Sequence, residues 1–375
     1  MIILPSEDDK FGFYQVGTRR TYSKLEAVEW SLASGQKITW NFNEQAYALS
    51  DWSQEPTESL QELYRRRAQQ IRDKYDYIVL LYSGGYDSSN MLYAFLDNGI
   101  KVDEVMTFYS REDQVSPQHI EIKNFTLDKI EKLKVKYPEQ KFTMLDYHDQ
   151  YLKWHDIDPQ IKLDYQYLHN CIFSANRLVT NSMMFWHEDY KQIINKDQKL
   201  CFLWASDKIK LLRGNDGWAC VLDDTMIDSH IGVYAQMNGL GRFHEFFYFS
   251  PELPELIIKQ TYQAKKYHES SVITTDDNIE LVDGKNFHIY QNFDNVKAVY
   301  PRLFVDNEKF FEYKNPVRGL GNRDQWFVDA NHDSSAFWRK VMNDFLLNKG
   351  KSLGQHYNKK KMSLSRIYSP IYYIT

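Results

Sequence analysis

Cysteine is scarce here: the chain has three in 375 residues, Cys171, Cys201 and Cys220, and no two of them stand at CxxC spacing. That argues against a disulfide framework and a cysteine-built zinc site, and a reduced, cytoplasmic setting is expected. An excess of basic charge is missing too. The formal net charge is −5, so there is no global attraction to nucleic acid or to an anionic membrane. No apolar run reaches the roughly 18 residues that a membrane span needs. The first residues, Met1-Ile2-Ile3-Leu4-Pro5-Ser6-Glu7, lack a basic segment ahead of an apolar core, so no secretory signal is expected. Internal repeats and low-complexity tracts do not occur. Two phosphate-binding patterns are also missing: GxxxxGKS/T of ordinary nucleoside-triphosphate loops and GxGxxG of dinucleotide folds.

What is present is a folded composition, with 43% hydrophobic and 15% aromatic residues, in a length that fits two or three packed units. The most informative stretch is Tyr77-Ile78-Val79-Leu80-Leu81-Tyr82 running into Ser83-Gly84-Gly85-Tyr86-Asp87-Ser88-Ser89. An apolar, partly β-branched run feeds a Ser-Gly-Gly turn, and 88–97 then reads as a helix with Gly99 as its stop. Backbone N–H groups and the positive end of a helix dipole meet at such a turn, which suits a bound phosphate. Gly84 and Gly85 let the backbone bend and approach an anion, and Ser83, Ser88 and Ser89 add hydroxyl donors. Asp87 would repel polyphosphate directly, so it acts through a shared Mg2+ or by holding the loop.

Around the turn a pattern repeats. Strands are expected at 77–82, 102–109, 141–147 and 200–205, alternating with helices at 88–97, 117–136 and 165–190. This alternation predicts a doubly wound, mostly parallel α/β sheet whose ligands bind beyond the carboxyl ends of its strands. Before it, 1–74 reads as a small α+β cap, with a helix at 22–32, a strand at 37–42 and a long helix at 58–75. That last helix places Leu60, Leu63, Ala68 and Ile71 on one face and carries Arg65, Arg66 and Arg67 in its middle. After it, 209–213 and 218–222 flank Gly214-Asn215-Asp216-Gly217, a hairpin turn. Helices follow at 256–267 and 334–347, and 211–375 is expected to be mainly helical and irregular, holding the substrate. The domain boundaries are therefore 1–74, 75–210 and 211–375.

The segment Ser83-Gly84-Gly85-Tyr86-Asp87-Ser88 resembles the SGGxDS loop of the PP-loop ATP pyrophosphatase superfamily, and the likeness covers about residues 75–210. The order of elements most resembles the synthetase domain of asparagine synthetase, including the asparagine-synthetase-like proteins of tailed bacteriophages. The resemblance implies an adenine nucleotide alpha hydrolase-like fold and Mg2+-dependent cleavage of ATP between its α and β phosphates. In such chemistry a carbonyl or carboxylate oxygen of an acceptor is adenylated, pyrophosphate leaves, and ammonia or an amine displaces AMP. It also assigns pyrophosphate binding to Ser83, Gly84, Gly85, Asp87 and Ser88, and adenosine contact to Thr107, Phe108 and Tyr109 at the end of the second strand, where ordinary strand packing is an equal alternative. Position 2 is Ile2, not the catalytic cysteine of glutamine-using members, and the residues ahead of the loop are too few for a glutaminase domain. An external nitrogen donor is therefore expected. Alternatives are a nucleobase or tRNA modification enzyme of the same superfamily, or an ATP-binding module without turnover.

Other positions weigh less. Ser206-Asp207-Lys208 follows the fourth strand at the same rim: Asp207 is a candidate Mg2+ ligand, Lys208 a candidate for neutralising pyrophosphate, and the bland alternative is a charged turn. Arg177, near Ser174 and Asn176, reads as an exposed helix arginine. Lys259, Lys265 and Lys266 are candidate pyrophosphate lysines that no spacing singles out. His148 with His155, and His230 with His244, lack metal-ligand spacing and read as structural. Lys359-Lys360-Lys361 near Arg366 is a small basic cluster, thin support for nucleic acid.

Overall fold

The computed structural model describes residues 9–109, 125–146, 183–205, 209–224, 239–270, 279–290, 296–304, 353, 356–358 and 363–375. In the amino-terminal part, β1 (Phe13–Val16), β2 (Arg19–Thr21) and β3 (Ile38–Asn41) form a three-stranded antiparallel sheet in the order β2-β1-β3. Helix α1 (Lys24–Ser34) joins β2 to β3. Its Ser23 cap accepts from the Glu26 N–H, and Gly35 closes it at φ 68°, a left-handed conformation that costs glycine little. A short α2 (Glu44–Leu49) follows. Helix α3 (Leu60–Lys74) begins at a complete capping box, with Ser59 and Glu62 satisfying each other's backbone N–H groups, and ends on Arg72 and Lys74, which suit the negative end of its dipole. Its apolar stripe Leu60, Leu63, Ala68 and Ile71 is buried as its periodicity predicts.

The central layer is a five-stranded, all-parallel sheet. Its first three strands are β4 (Tyr77–Leu81), β5 (Glu104–Tyr109) and β6 (Phe142–Asp146), and α4 (Tyr86–Leu96) and α5 (Leu127–Lys136) lie between them in the chain. Helices α6 (Met183–Asp189) and α7 (Lys191–Asn195) then lead to β7 (Leu200–Trp204). Residues 78–81 of β4 and all of β7 are buried on both faces, as expected of interior parallel strands. The hairpin β8 (Lys210–Gly214) and β9 (Gly217–Val221) turns on Asn215-Asp216, with Gly214 paired to Gly217. The chain then returns to the parallel sheet as β10 (His244–Phe246), pairing His244 with Phe202. The resulting order is β10-β7-β4-β5-β6. The chain lays down β4, moves outward through β5 and β6, and then crosses back to place β7 on the other side of β4. The strand order therefore reverses beside β4.

Helix α8 (Pro254–Ser270) packs against α3. Beyond it come β11 (Ile279–Val282), β12 (Lys285–Tyr290), α9 (Val296–Val299), a small antiparallel pair β13 (Tyr357–Asn358) and β14 (Ser363–Leu364), and β15 (Tyr372–Ile374). Among the described residues the region after 210 is not mainly helical. It contains a second five-stranded sheet, antiparallel, in the order β11-β12-β8-β9-β15. The reason lies in the hairpin. Leu211 and Cys220 face the main core, while Leu212, Ala219 and Val221 face a second cluster with Val282 and Phe287. A hairpin with two apolar faces and two open edges needs more strands to pair with, and β12 and β15 supply them.

The four strands anticipated from the sequence are all present, with α4 starting two residues earlier than expected, at Tyr86. Of the helices expected at 117–136 and 165–190, only the portions from Phe125 and from Met183 are described, and the one at 334–347 lies outside the described residues. No described helix is long and apolar enough to cross a membrane.

Candidate functional site

The turn between β4 and α4 sits at the carboxyl end of the strand beside which the sheet order reverses. Gly84 has φ +72°, and a Cβ there would lie 2.4 Å from the Thr126 hydroxyl oxygen. The position thus excludes other side chains twice over, by backbone conformation and by space. Gly85 is the N-cap of α4 and makes no side-chain cap bond. Helical bonding begins with Ser89 N donating to Gly85 O at 2.9 Å, so the N–H groups of the first turn of α4 have no helical acceptor. With the positive end of the helix dipole, they make the start of α4 an anion-attracting point.

The serines divide the work. Ser83 is exposed, whereas Ser88 and Ser89 are 3% and 1% exposed. The Ser88 hydroxyl lies 3.1 Å from that of Ser83, accepts from the Ser83 N–H at 3.2 Å and donates to Gly85 O at 3.2 Å, closing the loop on itself. Ser89 points inward, its oxygen 3.3 Å from the Tyr82 hydroxyl. Here Ser88 and Ser89 shape the loop, and Ser83 is the hydroxyl left on its surface.

Asp87 is partly exposed on the first turn of α4. The Tyr300 hydroxyl donates to its carboxylate at 2.5 Å, and the Tyr248 hydroxyl donates to its backbone carbonyl at 2.7 Å. Asn90 in turn donates to Tyr248 at 3.1 Å. Burial pushes both tyrosine hydroxyls well above their ordinary range, helped at Tyr300 by the neighbouring Asp87 and at Tyr248 by Tyr64 and then Asp87, so both remain protonated donors. Tyr248 follows β10 and Tyr300 follows α9, so two distant parts of the chain converge on one loop residue. Phe304 adds a ring contact with Tyr86, centroids 6.1 Å apart.

On the other side lies the start of α5. Thr126 occupies its N-cap position but makes no cap bond; its hydroxyl donates instead to Ser83 O at 2.9 Å. Lys129 Nζ donates to Gly84 O at 2.7 Å. Nothing in the spacing of that amphipathic helix marks either residue, because only the folded loop places its carbonyls beside them.

Thr107 is buried and donates to Tyr82 O at 2.8 Å, tying the end of β5 to the strand that feeds the loop. Phe108 is partly exposed and stacks on Trp186 with centroids 4.6 Å apart. Tyr109 is placed by its backbone pairing with Asp146. Asp207 and Lys208 lie outside the described residues, as do Ser174, Asn176, Arg177, His148, His155, His230 and Lys359-Lys360-Lys361. His244 is buried in β10, where its Nδ1 accepts from Trp204 Nε1 at 3.0 Å. Burial, then nearby His187, hold its pKa well below the usual imidazole value, a structural setting. The three candidate lysines of α8 are engaged elsewhere: Lys259 with Pro56 O and Glu55, Lys266 with Glu55, and Lys265 with the Thr375 carbonyl.

Among the described residues no group of three or more His, Cys, Asp or Glu side chains is arranged to hold a metal ion. Mg2+ associated with a nucleotide usually needs only one or two carboxylates, the phosphates and water supplying the rest. A single partly exposed Asp87 at the anion-attracting end of α4 fits that requirement. Compared with protein-family models, with curated proteins and with solved structures, the chain matches none.

Proposed function

We infer that the Ser83–Ser89 turn binds the polyphosphate of ATP and that the protein is an AMP-forming ligase of the PP-loop type, built on a doubly wound sheet. One observation carries the reading. A Ser-Gly-Gly turn that leads into a helix N-terminus stands at the carboxyl end of β4, where the parallel sheet reverses its strand order. In open α/β sheets that crevice is where ligands bind.

In this reading the turn backbone and the first-turn N–H groups of α4 hold the β and γ phosphates, with Ser83 as a hydroxyl donor. Ser88 keeps the turn closed in the shape the anion needs. Asp87 is the described residue that would hold Mg2+, with Asp207 as the second candidate, and the ion would supply charge neutralisation for the departing pyrophosphate. The acceptor's carbonyl or carboxylate oxygen attacks the α phosphorus, the bond to the bridging oxygen of pyrophosphate breaks, and ammonia or an amine then displaces AMP. Positioning and electrostatic stabilisation of the leaving pyrophosphate account for most of the rate in such transfers. Residues after 210 reach the loop through Tyr248 and Tyr300, which supports an acceptor site to which that part of the chain contributes.

The test is product analysis. Incubation with ATP, Mg2+, ammonium and a panel of carboxylate and carbonyl acceptors is expected to yield AMP and pyrophosphate. Formation of ADP and phosphate alone overturns the reading. Tight ATP binding without turnover across the panel favours a nucleotide-binding module.

A further inference from the structure

The geometry points to Lys129 as the cation that neutralises the bound pyrophosphate group, a role no residue of the loop itself fills; this assignment rests on the nucleotide reading of the turn. The loop contains a carboxylate, Asp87, and no lysine or arginine between Ser83 and Ser89. A polyphosphate seated on it brings several negative charges beside one already there, and helix N–H groups with half a unit of dipole charge do not balance that. Alongside the Mg2+ that accompanies ATP, a cation from another element would complete that balance. The three lysines of α8 are held by Glu55, Pro56 and the Thr375 carbonyl. Lys208 lies outside the described residues, and Lys129 has its ammonium 2.7 Å from the Gly84 carbonyl, on the turn itself.

The placement is built, not incidental. Thr126, one turn earlier on the same helix, gives its hydroxyl to Ser83 O at 2.9 Å, leaving α5 without a side-chain cap. Gly84 leaves room for it, since any Cβ would collide with Thr126. The start of α5 is thereby seated on the loop and fixes the stem of Lys129 there. An ammonium has three donors, so bonding Gly84 O and a phosphate oxygen together is within its capacity. Lysine suits the task as a compact point charge, as in phosphate loops that carry one within their own sequence.

The test uses inorganic pyrophosphate with Mg2+, titrated calorimetrically into the full chain, with melting temperature recorded for every variant. Lys129→Gln keeps an N–H donor for Gly84 O and removes the charge. Affinity is expected to fall roughly 10- to 100-fold, with a shallower salt dependence than the wild type. Lys129→Arg is expected to recover most of the affinity. Thr126→Val removes the other brace and keeps the charge, so it should lower the melting temperature and leave pyrophosphate affinity within a few-fold. Equal affinity in the wild type and Lys129→Gln, or an equal loss in Thr126→Val, overturns the assignment while leaving the nucleotide site intact. If Lys129→Gln does not fold, an affinity in Lys129→Arg as low as that of a Gly84→Ala control overturns it as well. A wild-type chain that binds no pyrophosphate at millimolar concentration overturns the nucleotide reading and this assignment together.

Discussion

The edge and the centre of the parallel sheet hold carboxylates in opposite ways. At the β10 edge, Glu245 is almost fully buried and meets Arg67 at 3.3 Å, Lys74 at 2.6 Å and Lys10 at 3.8 Å, while the Tyr75 hydroxyl donates to it at 2.7 Å. Arg67, itself 1% exposed, also donates to the carbonyls of Phe246 and Phe247. At the β4 rim, Asp87 is half open to solvent and its carboxylate is bonded by the neutral hydroxyl of Tyr300. The first arrangement saturates its charges and joins α3 to the last strand of the sheet. The second sets a partly exposed carboxylate on the first turn of a helix, on the same loop that Lys129 touches. Saturated charges serve the fold, and in the nucleotide reading the rim carboxylate is the one that serves a ligand.

The largest expected effect is at the saturated end. Arg67→Ala removes one partner of a buried charge and leaves two carbonyls without their donor, at a cost of about 3–5 kcal/mol. Urea unfolding measures this, and a loss under about 1 kcal/mol would make the β10 contact peripheral. Next comes pH. Burial alone would raise the Glu245 pKa, but Lys10, Arg67 and Lys74 together outweigh it and hold it at about 2, against an ordinary 4.5. A folded-state pKa lowered in this way gives stability that is complete above about 4.5 and is lost as pH falls toward 2. The contribution is about 3 kcal/mol. It is read as the difference between wild type and Glu245→Gln unfolded at pH 6 and at pH 3. A constant difference between the two would mean that Glu245 is not held by its partners.

Gly84→Ala tests the boundary between the two kinds of region. It places an L side chain at φ +72° and a methyl 2.4 Å from the Thr126 hydroxyl, so about 2–3 kcal/mol of stability should go. Because the loop carbonyls then shift away from Thr126 and Lys129, ATP binding should vanish well before the protein unfolds. Retained ATP affinity in a destabilised Gly84→Ala protein would separate the loop from the nucleotide site.

The same contrast explains what could be read from the sequence. The turn was legible because it is local: an apolar run, two glycines and a helix start lie within a dozen residues, and the Asn215-Asp216 hairpin was legible for the same reason. Strand β10 was not. It is three residues, His-Glu-Phe, inside the aromatic run 243–249, too short to show a period. Strand β15 pairs with β9 through Tyr372 and Cys220, a partnership that no local pattern encodes. Among the described residues after 210 the expected helical character gives way to an antiparallel sheet, because α8 carries a long, visible period whereas the short strands of that sheet are defined by each other. At the site, Ser83, Gly84 and Gly85 could be found from the motif. Thr126, Lys129, Tyr248 and Tyr300 could not, because their relevance exists only once the loop carbonyls and Asp87 have positions in space.

The smallest expected change in stability is at Asp87, and it is the most discriminating. Truncation removes the part-buried hydrogen bond from Tyr300, so Asp87→Ala should lower stability by about 1 kcal/mol. If this carboxylate instead acts as a negative helix cap, the loss would approach the upper end of capping effects, about 2 kcal/mol. Tyr300→Phe separates the two accounts, because it removes the hydrogen bond and keeps the carboxylate. In the nucleotide reading Asp87→Ala abolishes AMP formation while Tyr300→Phe slows it modestly, and both melt close to the wild type. If Asp87→Ala melts as early as Arg67→Ala, Asp87 belongs with Glu245 as a structural charge, and the rim of β4 loses its claim to be different from the edge at β10.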